Sequence, residues 1–488
     1  MELDHAACYR ALTARDHRFD GRFFTAVSST GVYCRPVCPA RTPKPENCTF
    51  FPSAAAAQEA GYRPCLRCRP ETSPDLGAWR GTSATVSRAL GLIETGALDE
   101  ADVAGIADRL GIGERQLRRL FRRHLGASPV AVAQTRRVLL AKQLIHETRL
   151  PMTDVALASG FGSVRRFNET FQQLYGCPPS ELRRGRTTDG NAEAITLFLR
   201  YQPPYDWAAI IDFLSARAIP GVETIDDGAY ARTISLDGAT GTIRVAHEPQ
   251  RQALRLAIRP PRLAALPAIL ARVRRMFDLG AEPHVIGKHL EADPVLAPLV
   301  RARPGMRVPG AWDGFEVAVR AILGQQITVG AATRLAGKLS MAYGEPLDGA
   351  RGALTHVFPS PERLAGGDIA ALGMPRSRGA AIEGLAAAAI AEPRLFHARA
   401  DLSVTIARLR GLPGIGEWTA QYIAMRGLRE TDAFPAADVG LLRALADANG
   451  RRPSPEELLA RAEAWRPWRA YAALHLWTAT GTKVETTR

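Results

Sequence analysis

LRGLPGIGEWTAQYIAMRGL (409–428) and, shortly after it, FPAADVGLLRAL (434–445) decide how the C-terminal half of this chain is read. Leu412-Pro-Gly-Ile-Gly416 ends one helical periodicity and opens another, which predicts a hairpin turn between two helices. Its glycines let backbone N–H groups approach a phosphate, and the start of the following helix favours an anion. Trp418 and Tyr422 are four residues apart, so they share one face of that helix. Asp438 directly precedes an apolar helix, the ordinary position of an N-cap.

Outward from this stretch, the periodicity is helical from about Leu263 to the end, broken by Pro and Gly. Between Ile195 and Leu256 short alternating runs with turn signals, among them SLDGATGTIRV and LRLAIRP, predict strands. Residues 84–184 read as helical with two similar segments, VAGIADRLGIGERQLRRLFRRHL (103–125) and VALASGFGSVRRFNETFQQLY (155–175). Each is a short helix, a Gly turn and a longer basic helix. Turn-rich ETSPDLGAWRGTS (71–83) and polar RRGRTTDGN (183–191) read as linkers. Four domains follow: 1–75, 84–186, 193–280 and 281–488. The fold class is multidomain and mainly α, with a small α+β head and a β-rich subdomain before the last helical domain.

Composition narrows the function. The chain has 488 residues, 46 % of them hydrophobic, and a net charge of +14. Residues 1–186 hold 27 Lys and Arg against 18 Asp and Glu, leaving 36 against 31 for the rest. That balance favours a polyanionic partner. No apolar run reaches the roughly 18 residues a membrane helix needs, and MELDHAACYR is not a secretory signal. The expectation is a cytoplasmic protein with no membrane partner.

Six of the seven cysteines lie before residue 70. In a reducing compartment a metal site is favoured over disulfides. Cys34-Arg-Pro-Val-Cys38 and Cys65-Leu-Arg-Cys68 are two close pairs separated by 26 residues. Four thiolates at such spacing suit one tetrahedral Zn²⁺, and a small head poor in large apolar side chains needs such a staple. On spacing alone this is a structural zinc site. Cys8 and Cys48 have no paired partner and read as bystanders.

DGRFF (20–24), TGVYCRPVCPARTP (30–43), FFPSAAAA (50–57) and GYRPCLRCRP (61–70) resemble the N-terminal domain of the Ada family of alkylation-response proteins. The resemblance covers almost the whole head. It implies that Cys34 is both a zinc ligand and the acceptor of a methyl group from a DNA methylphosphotriester. A thiolate, not a thiol, is the nucleophile, and zinc keeps it deprotonated.

GFGSVRRFNETFQQLYGCPPSELR (160–183) resembles the signature of AraC-type activators, two helix-turn-helix units joined by a long helix, here Pro129–Glu147. The second helix of each unit would enter the major groove, starting near Glu114 and Val164. Arg115, Arg118, Arg119, Arg165, Arg166 and Asn168 are then candidates for DNA contact, beside the plain alternative that they solvate a helix face. Phe121, Phe161, Phe167 and Phe171 read as core. An activator of this kind implies a specific operator and RNA polymerase as partners.

LPGIG followed by the loop and Asp438 looks like the helix-hairpin-helix superfamily of DNA glycosylases. Residues 193–482 resemble 3-methyladenine DNA glycosylase II of the AlkA type nearly end to end. By that resemblance Asp438 is catalytic as well as an N-cap. Phe213, Trp418, Tyr422 and Trp477 would line the pocket for a flipped base, where stacking and cation–π attraction suit a cationic purine. Leu412, Gly414 and Gly416 would meet the DNA backbone. Gln325 and Gln326 fall at the wedge that fills the gap in the duplex, although the family pattern has an apolar residue in place of Gln326.

Three absences shape the expectation. Related glycosylase/lyases carry a Schiff-base Lys at the position of Trp418, so a monofunctional hydrolase is expected. No cysteine follows Cys177, so no iron–sulfur cluster is expected. The Pro-Cys-His-Arg site of longer Ada proteins is missing, so repair of O⁶-methylguanine is not expected. The rival reading is a transcription regulator whose glycosylase half only binds DNA.

Overall fold

The computed structural model describes residues 3–74, 84–183, 194–349, 352–396, 402–447 and 449–479. Most of both linkers read from the sequence lies outside the described residues. The chain divides into two compact units, one of Met1–Gln202, Glu248–Ala271 and Leu279–Ala281, the other of Pro203–His247, Arg272–Asp278 and Glu282–Arg488. The fold is the expected one, mainly helical with a small sheet at the N-terminus and strands in the middle. Among the described residues no helix is long and apolar enough to cross a membrane.

The first unit opens on the helix His5–Thr13 and then builds a four-stranded sheet in the order Cys48–Phe51, Phe24–Val27, Val32–Cys34, Arg63–Pro64. Strand β1 (Phe24–Val27) pairs antiparallel with β2 (Val32–Cys34) and with β3 (Cys48–Phe51). Strand β4 (Arg63–Pro64) runs parallel to β2, with Tyr33 opposite Pro64. That register sets Cys34, the last residue of β2, beside Cys65, the first residue after β4.

The helices that follow start where the capping residues predict. Asp102 caps Val103–Leu110, Ser128 caps Pro129–Glu147 and Ser163 caps Val164–Tyr175, each side chain accepting an N–H from the first turn. Glu114–Leu125 buries Leu117, Phe121 and Leu125 and leaves its arginines outside. Phe121, Phe167 and Phe171 are fully buried and Phe161 nearly so, as expected, each stabilising the module by about 1.5–3 kcal/mol. The head is part of this packing. Ser53 Oγ donates to the Leu125 carbonyl at 2.6 Å, and Arg122 pairs with Glu59 at 2.5 Å.

In the second unit β5 (Glu223–Asp226), β6 (Ala229–Leu236) and β7 (Ala239–Glu248) form an antiparallel meander. Helix Gly314–Leu323 is buried on nearly every side and packs against Glu417–Arg426. Val439–Ala444 packs against Arg469–Ala479, which brings Trp477 to the residue that caps it.

Candidate functional site

In the head, the sulfurs of Cys34, Cys38, Cys65 and Cys68 all lie within 4.8 Å of one another, and all four residues are buried. Two tight turns and the parallel register of β2 and β4 converge them. Backbone N–H groups of Arg35 and Arg67 point at Cys68 Sγ (3.3 Å) and Cys65 Sγ (3.4 Å), as suits thiolates. A tetrahedral Zn²⁺ with Zn–S near ~2.3 Å fits four converging sulfurs of this kind. Cys8 and Cys48 are buried elsewhere in the head and join no such cluster.

Two buried ion pairs brace this site. The Arg35 guanidinium is held by Asp20, with Nε to Oδ1 at 2.8 Å, and also donates to the Cys68 carbonyl. Lys142, from the middle of Pro129–Glu147, donates to the Cys65 carbonyl at 3.0 Å and to Glu71 at 2.8 Å. Both side chains of that second pair are fully shielded from water. Burial alone would raise the Glu71 carboxyl, but Lys142 and Arg69 outweigh it and hold it below its ordinary range. The long helix is thus bonded to the backbone of a metal ligand. Nothing in the spacing of Lys142 pointed to this.

The candidate DNA-contacting residues of the helical module are all exposed: Arg115, Arg118 and Arg119 on Glu114–Leu125, Arg165, Arg166 and Asn168 on Val164–Tyr175. Arg118 pairs with Glu114 and Arg165 with Glu169, each one turn away. Exposed pairs of this sort contribute little stability and are easily exchanged for phosphate.

In the second unit Asp438 caps Val439–Ala444, accepting the Leu441 N–H through Oδ1 at 3.0 Å. The same carboxylate receives two indole N–H bonds, from Trp418 Nε1 to Oδ2 and from Trp477 Nε1 to Oδ1, both 2.8 Å. A side chain at Gly440 would meet Asp438 Oδ1 at 2.9 Å and the Trp477 ring at 3.2 Å, so only Gly leaves this clamp closed. Trp418 stacks on Tyr422 with ring centres 5.1 Å apart and planes 9° from parallel. Arg426, one turn further on, donates to Tyr422 Oη at 2.5 Å and lies 4.4 Å from the Phe213 ring. The four aromatic residues proposed for the pocket and Asp438 therefore form one connected cluster. The spacing had suggested stacking surfaces. It had not shown that two of the indoles orient the carboxylate.

At the hairpin, Gly414 has φ +76°, and a Cβ there would meet Ala381 at 2.6 Å. A Cβ on Gly416, by contrast, would find nothing within 4 Å, so the backbone there is open to approach. Leu412 is half-buried. Gln325 Nε2 donates to the Gly414 carbonyl at 2.8 Å and to Thr419 Oγ1 at 3.2 Å, bracing the turn from below. Gln326 is exposed with φ +58°. The two glutamines thus differ in setting, one tied to the hairpin and one outside.

Sequence reasoning passed over Arg217 and Arg426. Their signal was present: Arg426 continues the Trp418–Tyr422 spacing by another four residues, and Arg217 follows Phe213 by four.

Four family models match the chain: the metal binding domain of Ada over residues 7–71, a helix-turn-helix domain over 106–185, the AlkA N-terminal domain over 196–313, and the HhH-GPD superfamily of base excision DNA repair proteins over 319–470. Among curated proteins, the probable bifunctional transcriptional activator/DNA repair enzyme AlkA of Mycobacterium tuberculosis H37Rv is 42 % identical over 98 % of this chain and 97 % of its own length. DNA-3-methyladenine glycosylase 2 of Escherichia coli K12 is 36 % identical over 58 % of this chain and 97 % of its own. A solved 3-methyladenine DNA-glycosylase from Archaeoglobus fulgidus superposes with a TM-score of 0.52 at 21 % identity, over 58 % of this chain and 97 % of that one.

Proposed function

The chain belongs to the family of bifunctional transcriptional activator/DNA repair enzymes of the AlkA type, and on that premise we propose a division of labour along it. Residues 1–75 sense methylphosphotriesters, 84–186 bind an operator, and 193–280 with 281–488 form a monofunctional glycosylase for 3-methyladenine and 7-methylguanine. The whole is an alkylation-damage response protein of the cytoplasm that acts on double-stranded DNA, with RNA polymerase as the partner of its activator function.

The observation that carries the enzymatic reading is Asp438 at a helix start, clamped by two indole N–H groups beside a stacked aromatic pair. In the cleavage step the C1′–N bond breaks and its electron pair leaves with the purine. The carboxylate stabilises the oxocarbenium-like sugar, water adds to C1′, and the water's proton passes to the carboxylate or to solvent. An N3- or N7-alkylated purine is already cationic, so it departs neutral and needs no acid. Trp418 has no amine with which to form a Schiff base, which supports simple hydrolysis. Phe213, Trp418, Tyr422 and Trp477 supply the faces for the flipped base, Leu412, Gly414 and Gly416 the backbone approach, and Gln325 and Gln326 the region of the wedge.

In the head, Cys34, Cys38, Cys65 and Cys68 would hold Zn²⁺, which when bound keeps the thiolates deprotonated and folds the head. Cys34 Sγ attacks the methyl carbon of the triester, the C–O bond breaks, and the phosphodiester leaves with its electron pair. The cluster loses one negative charge, so it repels phosphates less and the module binds its operator more tightly.

The test is base release from methylated duplex DNA together with mass spectrometry of Cys34 in the same sample. Release of 3-methyladenine and a 14-Da gain on Cys34 (roughly one CH₂, since zinc holds the thiolate form) are expected. Binding of damaged DNA without any base release would favour the regulator-only reading.

A further inference from the structure

Behind the aromatic cluster of the second unit lie six buried or half-buried charged groups. Four of them balance: Arg232 pairs with Glu316 at 2.6 Å, and Arg320 with Glu223 at 2.8 Å and Glu316 at 3.0 Å. The other two, Arg217 and Arg426, have no carboxylate within 4.0 Å among the described residues. Arg426 donates to the carbonyls of Pro309 and Gly310 and to Tyr422 Oη. Arg217 donates to the Phe213 carbonyl at 3.3 Å and lies 3.9 Å from that ring's centre, while Arg426 is 4.4 Å from the same ring. A buried guanidinium without a counter-ion is costly, and carbonyls and ring faces offset only part of that cost. At the opposite end of the stacked Trp418–Tyr422 pair stands the one carboxylate of the cluster, Asp438.

We propose that Arg217 and Arg426 are positioning residues that place positive charge on the base side of the pocket, opposite Asp438, so that the field of the site drives positive charge from the purine onto the deoxyribose. This rests on the glycosylase reading above. When the C1′–N bond breaks, the electron pair moves onto the base and the sugar becomes cationic. A fixed cation on the base side makes the bound alkylpurinium less comfortable and its neutral product more so. A fixed anion on the sugar side does the converse, and the two effects add in the transition state. Because the cations disfavour the charged ground state, they act on rate and against affinity, the signature of differential binding. At an effective dielectric near 20, one such charge contributes roughly ten-fold in rate.

The experiment uses the full-length protein and duplex DNA carrying 7-methylguanine. Single-turnover excision is compared for wild type, R217Q and R217K, with the affinity of each for the same duplex measured in the D438N background. R217Q is expected to lose roughly ten-fold in rate with affinity unchanged or tighter, and R217K to stay within about three-fold of wild type because it keeps the charge. R217M, which keeps an aliphatic stem against Phe213, serves as the uncharged variant if Gln unfolds the site, as judged by thermal melting. An unchanged rate in R217Q overturns the proposal. So does an equal fall in R217K and R217Q, or a loss of affinity in step with rate, which would mark a base-binding or merely structural role. Failure of the underlying reading looks different: D438N would excise as fast as wild type, or wild type would release no base at all, and then both fall.

Discussion

The indole N–H of Trp418 lies 2.8 Å from Oδ2 of Asp438, while the indole N–H of Trp477 lies 2.8 Å from Oδ1. Two neutral donors from different helices thus hold each oxygen of one carboxylate, and the N-cap bond to Leu441 completes its orientation. The expected consequence is that Asp438→Asn leaves folding and DNA binding nearly intact but lowers 3-methyladenine excision at least roughly 100-fold. Base release under single-turnover conditions measures this. Unchanged turnover would remove Asp438 from the chemistry.

The clamp makes a separate prediction. W477F keeps a ring but loses one of the two donors, and one positioning hydrogen bond to a charged group is worth about 1.5–3 kcal/mol. Excision is expected to fall roughly ten- to hundred-fold. A rate equal to wild type would show that the Leu441 N–H and Trp418 suffice.

Trp418 also bears on product chemistry. The purified protein is expected to leave intact abasic sites, and borohydride should not trap it on DNA during base release. A covalent adduct would reveal an amine acting as a lyase elsewhere in the site.

The pocket has a pH dependence of its own. Burial would raise the Tyr422 phenol, but Arg426, then Arg217 and Arg320, outweigh it and hold it below its ordinary value of 10.0. As pH rises through that lowered value, phenolate forms and cancels part of the positive charge on the base side. Excision is expected to fall on the alkaline side, below the pH at which free tyrosine ionises. In Y422F that alkaline limb should vanish, and its persistence would assign it to another group.

Stability of the head should hinge on Lys142. Lys142→Met leaves the buried Glu71 carboxylate with Arg69, 3.0 Å away, as its remaining ion-pair partner, a loss of up to about 3 kcal/mol. Replacing both partners, E71L with K142M, should recover much of it. Because Glu71 titrates below its ordinary 4.5 in the folded head, its contribution is present in full above the unfolded value. It is lost as pH falls through the lower folded one. Hydrogen exchange of the Cys65–Thr72 backbone in the full-length protein reads both effects; equal protection in K142M and wild type would rule out the brace.

The elements and their chemistry classes can be read from the amino-acid order alone, because those signals are local. The starts of the helices at Glu114 and Val164, the linking helix Pro129–Glu147 and the N-cap at Asp438 all fall where capping residues and apolar periodicity put them. The cysteine pairs, the Leu412–Gly416 hairpin and the aromatic spacing were equally legible, since each depends on neighbours a few residues away. Which distant groups meet as charge partners depends on how whole elements pack. Lys142 meets Glu71 across 71 positions, Trp477 meets Asp438 across 39, and Arg217, from the turn after one helix, and Arg426, at the end of another, converge on one ring. No periodicity encodes such meetings. A buried charge finds its partner through packing of whole elements, and leaving one without a counter-ion, as at Arg217 and Arg426, is visible only once every neighbour is in place.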